Sequence, residues 1–291
     1  MEVSSKLPSK SYQKLSRLIH VKDILGNIIR IVQFSVNLFK ILEFEGNFVI
    51  ILIGIPTLYS TMLVQQIIML YINCVCILKA CFKRINDNLV HMQKFVIKDM
   101  KPRVSNIIRH TQRNEFLLTE LGILKKQHLM ISDAVQILNM VFSLPLLGNI
   151  VLSIFTVTFR LYLHAVRWQN GVFIGLDWHY VDVLLTTMIY NVLKIILIVW
   201  ACETGKNQAQ KIGTTVHDLL NSTNDEKIKY ELQLFSLQIL HRKNTFSLKG
   251  LTVDATLLAA IVGNITMYLL ILIQFLNISY SCDRKTAVNV T

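Results

Sequence analysis

Three stretches of this chain, 48–78, 134–159 and 255–282, contain no Asp, Glu, Lys or Arg. A helix rises about 1.5 Å per residue, so roughly 20 apolar residues cross the ~30 Å hydrocarbon core of a bilayer. Each run is long enough. A helix buried in a soluble core rarely stays apolar beyond about 14 residues. The chain of 291 residues is 53% hydrophobic and 16% charged, against about 25% charged in an ordinary soluble domain. The runs therefore predict an all-α, multi-pass transmembrane protein rather than a soluble domain.

Two weaker segments extend the count. Residues 181–201 form an apolar segment with Asp182 at its start and interrupted by Lys194, and 24–44 are apolar on balance but carry Arg30 and Lys40. The second could lie on the membrane surface as an amphipathic helix; a span there keeps the topology consistent. The expectation is about five spans, near 24–44, 48–78, 134–163, 181–201 and 251–280. The polar segments between them, 79–133 and 202–249, are rich in Lys and Arg, and Glu115 begins a stretch of helical spacing. By the positive-inside rule both are cytoplasmic. The 164–180 connection, with Arg167, Trp168, Asp177, Trp178 and Tyr180, suits the outer interface. A cytoplasmic segment 1–23, a membrane domain 24–282 and an extracellular tail 283–291 follow, with the N-terminus inside and the C-terminus outside. Residues 1–20 lack the apolar core and cleavage site of a signal peptide.

The net charge of +12 sits in the segments between spans, so no nucleic-acid partner is expected; membrane lipid is. Catalytic motifs are missing: there is no H-E-x-x-H, no G-x-S-x-G, and Gly205-Lys206-Asn207 is not a phosphate loop. No catalytic residue, metal site or cofactor is expected. His217 and Asp218 are adjacent, which on a helix points them apart. Cys74, Cys76, Cys81, Cys202 and Cys282 read as small packing residues. Lys194 marks a ligand or ion path, or snorkels, or faces a wet cavity without specific role. Of the sequons at Asn221, Asn264, Asn277 and Asn289, only the last is topologically suited to glycosylation.

The last apolar run is the most specific. It is introduced by Phe246-Ser-Leu-Lys-Gly-Leu-Thr-Val-Asp254 and closes on Met267-Tyr268-Leu-Leu-Ile-Leu-Ile-Gln274-Phe275. This resembles the signature of insect gustatory receptors: Thr-Tyr, five hydrophobic residues, then Gln-Phe. Tyr268, Gln274 and Phe275 match; Met267 stands where the family has threonine, and Thr266 falls one residue early. Arg84-Ile-Asn86 with Leu89, His128 to Asn139 leading into Phe142, Tyr162, and Cys202 through His217-Asp218-Leu219-Leu220 are also similar, so the resemblance covers roughly 48–282. It implies seven spans, of which the five here look like the third to seventh. It further implies a homo- or hetero-tetrameric, ligand-gated, non-selective cation channel of the plasma membrane that detects tastant small molecules, its last helix lining the pore.

At about 100° per residue, Gln274 shares a stripe with Gly263, Met267, Leu270 and Ile271. Tyr268 lies about 120° away, with Leu272 and Phe275. The expectation is that Gly263, Met267, Leu270 and Gln274 face the pore while Tyr268 and Phe275 pack on neighbouring helices. Alternatively Gln274 only hydrogen-bonds another helix. A multi-pass transporter or enzyme would instead show polar groups facing a common cavity, and a truncated, non-functional receptor is a further alternative.

Overall fold

The computed structural model of the chain describes residues 9–43, 48–98, 107–169 and 178–288. The expectations for Trp168, Asp177, Trp178, Tyr180, Cys282 and Asn289 lie outside the described residues or side chains. The order of elements is α1 (Ser9–Glu43), α2 (Phe48–Lys98), α3 (Ile107–Gln169), α4 (Trp178–Ser222), α5 (Glu226–His241), β1 (Ser247–Leu248), β2 (Leu251–Thr252) and α6 (Ala255–Val288). The protein is all-α apart from this hairpin.

The long helices carry the apolar runs without interruption into the polar segments that follow or precede them. Four stretches are long and apolar enough to cross a membrane: Gly54–Val96, Asn114–Val166, Leu185–Ser222 and Ala255–Ile278. Among the described residues, α1 does not reach the same apolarity. Pro56 and Pro145 sit inside α2 and α3. Around Pro56, Thr57, Ser60 and Thr61 donate back to the carbonyls of Gly54, Pro56 and Leu58 at 2.7–2.8 Å, a way of satisfying backbone acceptors where lipid offers no donor.

By packing, the chain divides into two compact units. The first comprises residues 1–22, 69–143 and 200–253. Its buried positions alternate by three and four residues: Ile72, Val75, Phe82, Ile85, Leu89 and Met92 on α2; Leu117, Leu121, Leu124, His128, Ile131, Val135 and Leu138 on α3; Cys202, Ala209, Ile212, Val216 and Leu219 on α4; Ile228, Leu232 and Phe235 on α5. This is the seam of a helix bundle. α5 starts where Asp225 accepts from the N–H groups of Lys227 and Ile228 at 2.9 and 3.1 Å, and Asn114 donates to the same carboxylate at 2.6 Å. Lys125–Glu231 at 2.7 Å and Arg242–Asp133 at 2.9 Å tie α3 to the α5 end of the unit.

Fully buried His128 is the polar centre of that core. Its ring lies 6.1 Å from that of Phe82 and 5.5 Å, edge on, from that of Phe235. Gln238 Nε2 donates to the Lys125 carbonyl at 3.0 Å and stands 3.2 Å from His128 Nδ1. Asn244 Nδ2 stands 3.2 Å from the other ring nitrogen, Nε2, so both face carboxamide N–H donors and the neutral imidazole accepts from one of them. Asn139 then holds the hairpin as a neighbouring strand would. Its Nδ2 donates to the Thr245 carbonyl at 2.8 Å and its Oδ1 accepts from the Ser247 N–H at 3.3 Å. The strands pair Ser247 with Thr252 and Leu248 with Leu251. Lys249 and Gly250 turn between them at φ 48° and 90°, the left-handed pair that a two-residue hairpin demands.

The second unit comprises residues 23–68, 144–199 and 254–291. It inverts the usual distribution. Arg30, Gln33, Gln65, Ser153, Thr158, Thr187 and Asn191 are buried, while Leu52, Ile55, Leu63, Leu152, Phe155, Phe159, Ile189 and Leu193 are exposed. In water this would be costly on both counts; in lipid the apolar exterior is solvated and the polar interior is shielded. This is the pattern of a membrane protein, reached without reference to run length. α6 begins after Asp254, whose carboxylate accepts from the N–H of Thr256 at 3.1 Å.

Candidate functional site

Within the second unit, helical spacing lines up polar side chains on four helices. On α4 these are Thr187, Tyr190, Asn191 and Lys194; on α3, Asn149, Ser153, Thr156 and Arg160; on α2, Thr57, Thr61 and Gln65; on α1, Arg30 and Gln33. They wall a cavity of about 360 Å³, with Leu58, Val64 and Leu152 supplying apolar surface. The volume lies within the range of small-molecule pockets, and the mixture of apolar wall and converging polar groups is theirs too.

Tyr190 organises the chamber. Its hydroxyl donates to Gln65 Oε1. The Arg30 guanidinium lies 4.9 Å and the Lys194 ammonium 5.3 Å from the centre of its ring, within cation–π reach. Arg30 Nη1 donates to Gln33 Oε1 at 2.7 Å, and Lys194 Nζ to Asn191 Oδ1 at 3.0 Å. Among the described residues, three buried atoms of lining residues have no hydrogen-bond partner: Arg30 Nε, Asn149 Oδ1 and Thr187 Oγ1. Buried polar atoms without partners are rare in folded proteins.

The helix singled out by the sequence is the least covered of the four candidate spans. Only 11% of its apolar window is buried. Leu257 and Ile261 form its buried edge, whereas Gly263, Met267, Leu270 and Gln274 are all exposed, and so are Tyr268 and Phe275. The Thr266 hydroxyl donates to the Val262 carbonyl at 2.9 Å, so it is held on its own helix. Elsewhere, His217 and Asp218 lie on an exposed face, and Cys76, Cys81 and Cys202 are buried packing residues.

Comparison with known proteins supplies the decisive observation: the family model described as 7tm Chemosensory receptor matches residues 14–276. The chain belongs to this chemosensory receptor family. Two Drosophila melanogaster proteins are similar to the receptor: gustatory receptor 28b, 42% identical over 89 residues, and gustatory receptor 28a, 32% identical over 151 residues. Those stretches cover 30% and 51% of the receptor but only 19% and 34% of the relatives. The chain therefore spans well under two thirds of the curated relatives it matches. The gustatory resemblance carried by Tyr268, Gln274 and Phe275 agrees with them. Among solved structures, the insect olfactory receptor OR5 from Machilis hrabei superposes with a TM-score of 0.69 at 12% identity. The match covers 91% of this receptor and 68% of that chain. The same olfactory receptor in complex with eugenol gives 0.63 at 13% identity. At such identities the likeness establishes the shared fold.

The cavity is what charge alone does not reveal in the receptor's sequence. Lys194 is visible there as a charge in a span, and Arg30 as a blemish in a weak one. The available signal is finer: hydroxyl and amide side chains recurring at three- and four-residue spacing inside runs that contain no charge.

Proposed function

We propose that this protein is a subunit of a ligand-gated, non-selective cation channel of the plasma membrane that detects small-molecule tastants. The cavity around Tyr190 receives the tastant, and α6 lines the pore in a tetramer. The observation that carries the reading is the convergence of polar side chains from four helices, Arg30, Gln65, Asn149, Tyr190 and Lys194 among them, on a membrane-embedded chamber of about 360 Å³. Membership of a chemosensory receptor family makes a ligand its natural occupant, and the structural relative solved with eugenol is a small-molecule binder of the same fold. The uncovered face of α6 supports assembly, because its exposed stripes include the small and polar residues Gly263 and Gln274. An N-terminus inside, a C-terminus outside and a membrane crossing by α1 belong to the same reading.

The test is current recording from cells that express the receptor while a tastant panel is applied. Thr156, half-buried on the cavity wall, donates to the Leu152 carbonyl of its own helix. The T156W variant should reach the cell surface and lose the responses of the unmodified receptor. Surface expression with unaltered responses would refute the cavity's role.

A transporter also predicts polar groups around a common chamber, and that feature is present. The two separate by flux: a channel passes cations down their gradient on ligand addition, whereas a transporter accumulates the labelled ligand itself.

A further inference from the structure

The chamber around Tyr190 has a one-sided charge. Arg30, Arg160 and Lys194 line it, and among the described residues none that line it is Asp or Glu. Arg30 is 7% exposed, and a guanidinium stays protonated in any physiological setting. Its contacts are neutral: the Gln33 amide at 2.7 Å and the face of the Tyr190 ring at 4.9 Å. Its Nε is buried without a partner. A buried charge held only by neutral groups is costly, and the cost falls when an opposite charge completes its hydrogen bonds.

Resting on the reading of this cavity as the tastant pocket, we propose that its ligand is an organic anion, a compact carboxylate with an apolar body, seated between Arg30 and Lys194. The carboxylate pairs with the Arg30 guanidinium at two points, the geometry that suits this group. The Lys194 ammonium, 5.3 Å from the ring centre on which Arg30 also rests, supplies the second positive charge. The apolar body lies along Leu58, Val64 and Leu152. An amine ligand would meet three like charges, and a neutral one would leave the charge of Arg30 uncompensated. A carboxylate arriving from water and the anionic headgroup of a membrane lipid share this chemistry.

The experiment uses the full chain in phosphatidylcholine nanodiscs. Binding of benzoate and octanoate is measured beside the matching amides, alcohols and amines. Each carboxylate should bind more tightly than its amide or alcohol, with the amine weakest. R30Q should weaken the carboxylates roughly tenfold or more, while the alcohols move less than about twofold. K194Q should do the same to a smaller degree and K194R should restore binding; this pair serves if R30Q does not fold. T156W should abolish binding of every probe. Displacement of the bound carboxylate by added phosphatidylserine assigns the anion to the lipid; no displacement assigns it to the aqueous ligand. Alcohols binding as tightly as carboxylates, with R30Q and K194Q inert and T156W still blocking, would overturn the anionic assignment and leave the pocket standing. Carboxylate binding that survives T156W would overturn the pocket itself. No carboxylate binding up to about 10 mM, a very weak affinity, would overturn the proposal.

Discussion

Gly205 and Phe246 are in contact so close that a Cβ on the glycine would stand 2.7 Å from Phe246 Cε2 and 3.3 Å from Val75 Cγ1. Phe246 is 2% exposed and Val75 fully buried, so neither can step aside freely. The glycine on α4 is the slot into which the aromatic ring before the hairpin fits. G205A should therefore destabilise the receptor by about 1–3 kcal/mol, the usual cost of overpacking a tight core. The melting temperature of detergent-purified protein reads this. Combined with F246L, which replaces the ring by a shorter branched side chain, the loss should be less than the sum of the two single losses. Strict additivity would mean that the two residues do not share the site.

The hairpin turn yields a prediction with two signs. Lys249 and Gly250 both have positive φ, which Asn and Gly tolerate and β-carbon-bearing residues generally resist. G250A should cost roughly 1–2 kcal/mol through backbone strain alone, because a Cβ there meets nothing within 4 Å. K249N should be neutral or stabilising, since Asn-Gly is the preferred pair for this turn. Equal destabilisation by both would argue against the turn geometry.

Asn139 distinguishes a donor from an acceptor. Its Nδ2 donates to the Thr245 carbonyl at 2.8 Å and its Oδ1 accepts from Ser247 N–H at 3.3 Å. N139D keeps shape and the acceptor but sets a carboxylate oxygen against the carbonyl. It should lower stability by about 1–3 kcal/mol, the cost of an unsatisfied or repelled buried group. Thermal unfolding of N139D above its conventional carboxylate titration range checks this, and a melting point equal to that of the unmodified protein would remove Asn139 from the hairpin's support.

How much of this is legible in the sequence depends on the kind of signal. Membrane insertion is, because charge is excluded from lipid and its absence over 48–78, 134–159 and 255–282 is unambiguous. The apolar pattern starts the last span at Leu251, yet Leu251–Thr252 is a strand and α6 starts at Ala255. An apolar run does not by itself say where helix replaces strand. The Lys249-Gly250 turn and the Asp254 cap do, and as part of a family-like phrase they carry no such geometry. The cavity is hidden for a related reason. Thr57, Thr61, Thr187 and Asn191 are uncharged, so a scan for charge passes over them, and their convergence with Arg30 depends on how four helices pack. The His128 hub is equally out of reach, since Phe82, Phe235, Gln238 and Asn244 approach it from distant parts of the chain.

Tyr190 offers a way to separate the two ways it serves the chamber. Its ring carries Arg30 and Lys194 on cation–π contacts, and its hydroxyl donates to Gln65. Y190F keeps the ring and loses one hydrogen bond, worth about 1 kcal/mol. Y190L loses the ring as well and releases both cations, adding about 0.5–2 kcal/mol for each contact. In current recordings Y190F should shift the tastant dose–response curve by no more than about tenfold, and Y190L should shift it further or abolish it. Identical behaviour of the two would place the hydroxyl, not the ring, at the centre of recognition.

Gln274 tests the pore. It is exposed on the same stripe of α6 as Gly263, Met267 and Leu270. In a tetramer whose pore this stripe lines, four carboxamides would form a polar ring in a constriction that is otherwise apolar, where the barrier to ions is set by how readily water leaves. Q274A removes the ring and should lower single-channel conductance while leaving the tastant concentration for half-maximal response unchanged, because the cavity around Tyr190 is untouched. M267T, which installs the threonine of the gustatory signature on the same stripe, should raise conductance by making the constriction more polar. Both are read from unitary currents under symmetrical cation solutions. A Q274A channel with unaltered conductance and ion selectivity would assign Gln274 to helix–helix hydrogen bonding, and would turn the Tyr268 and Phe275 face toward the pore instead.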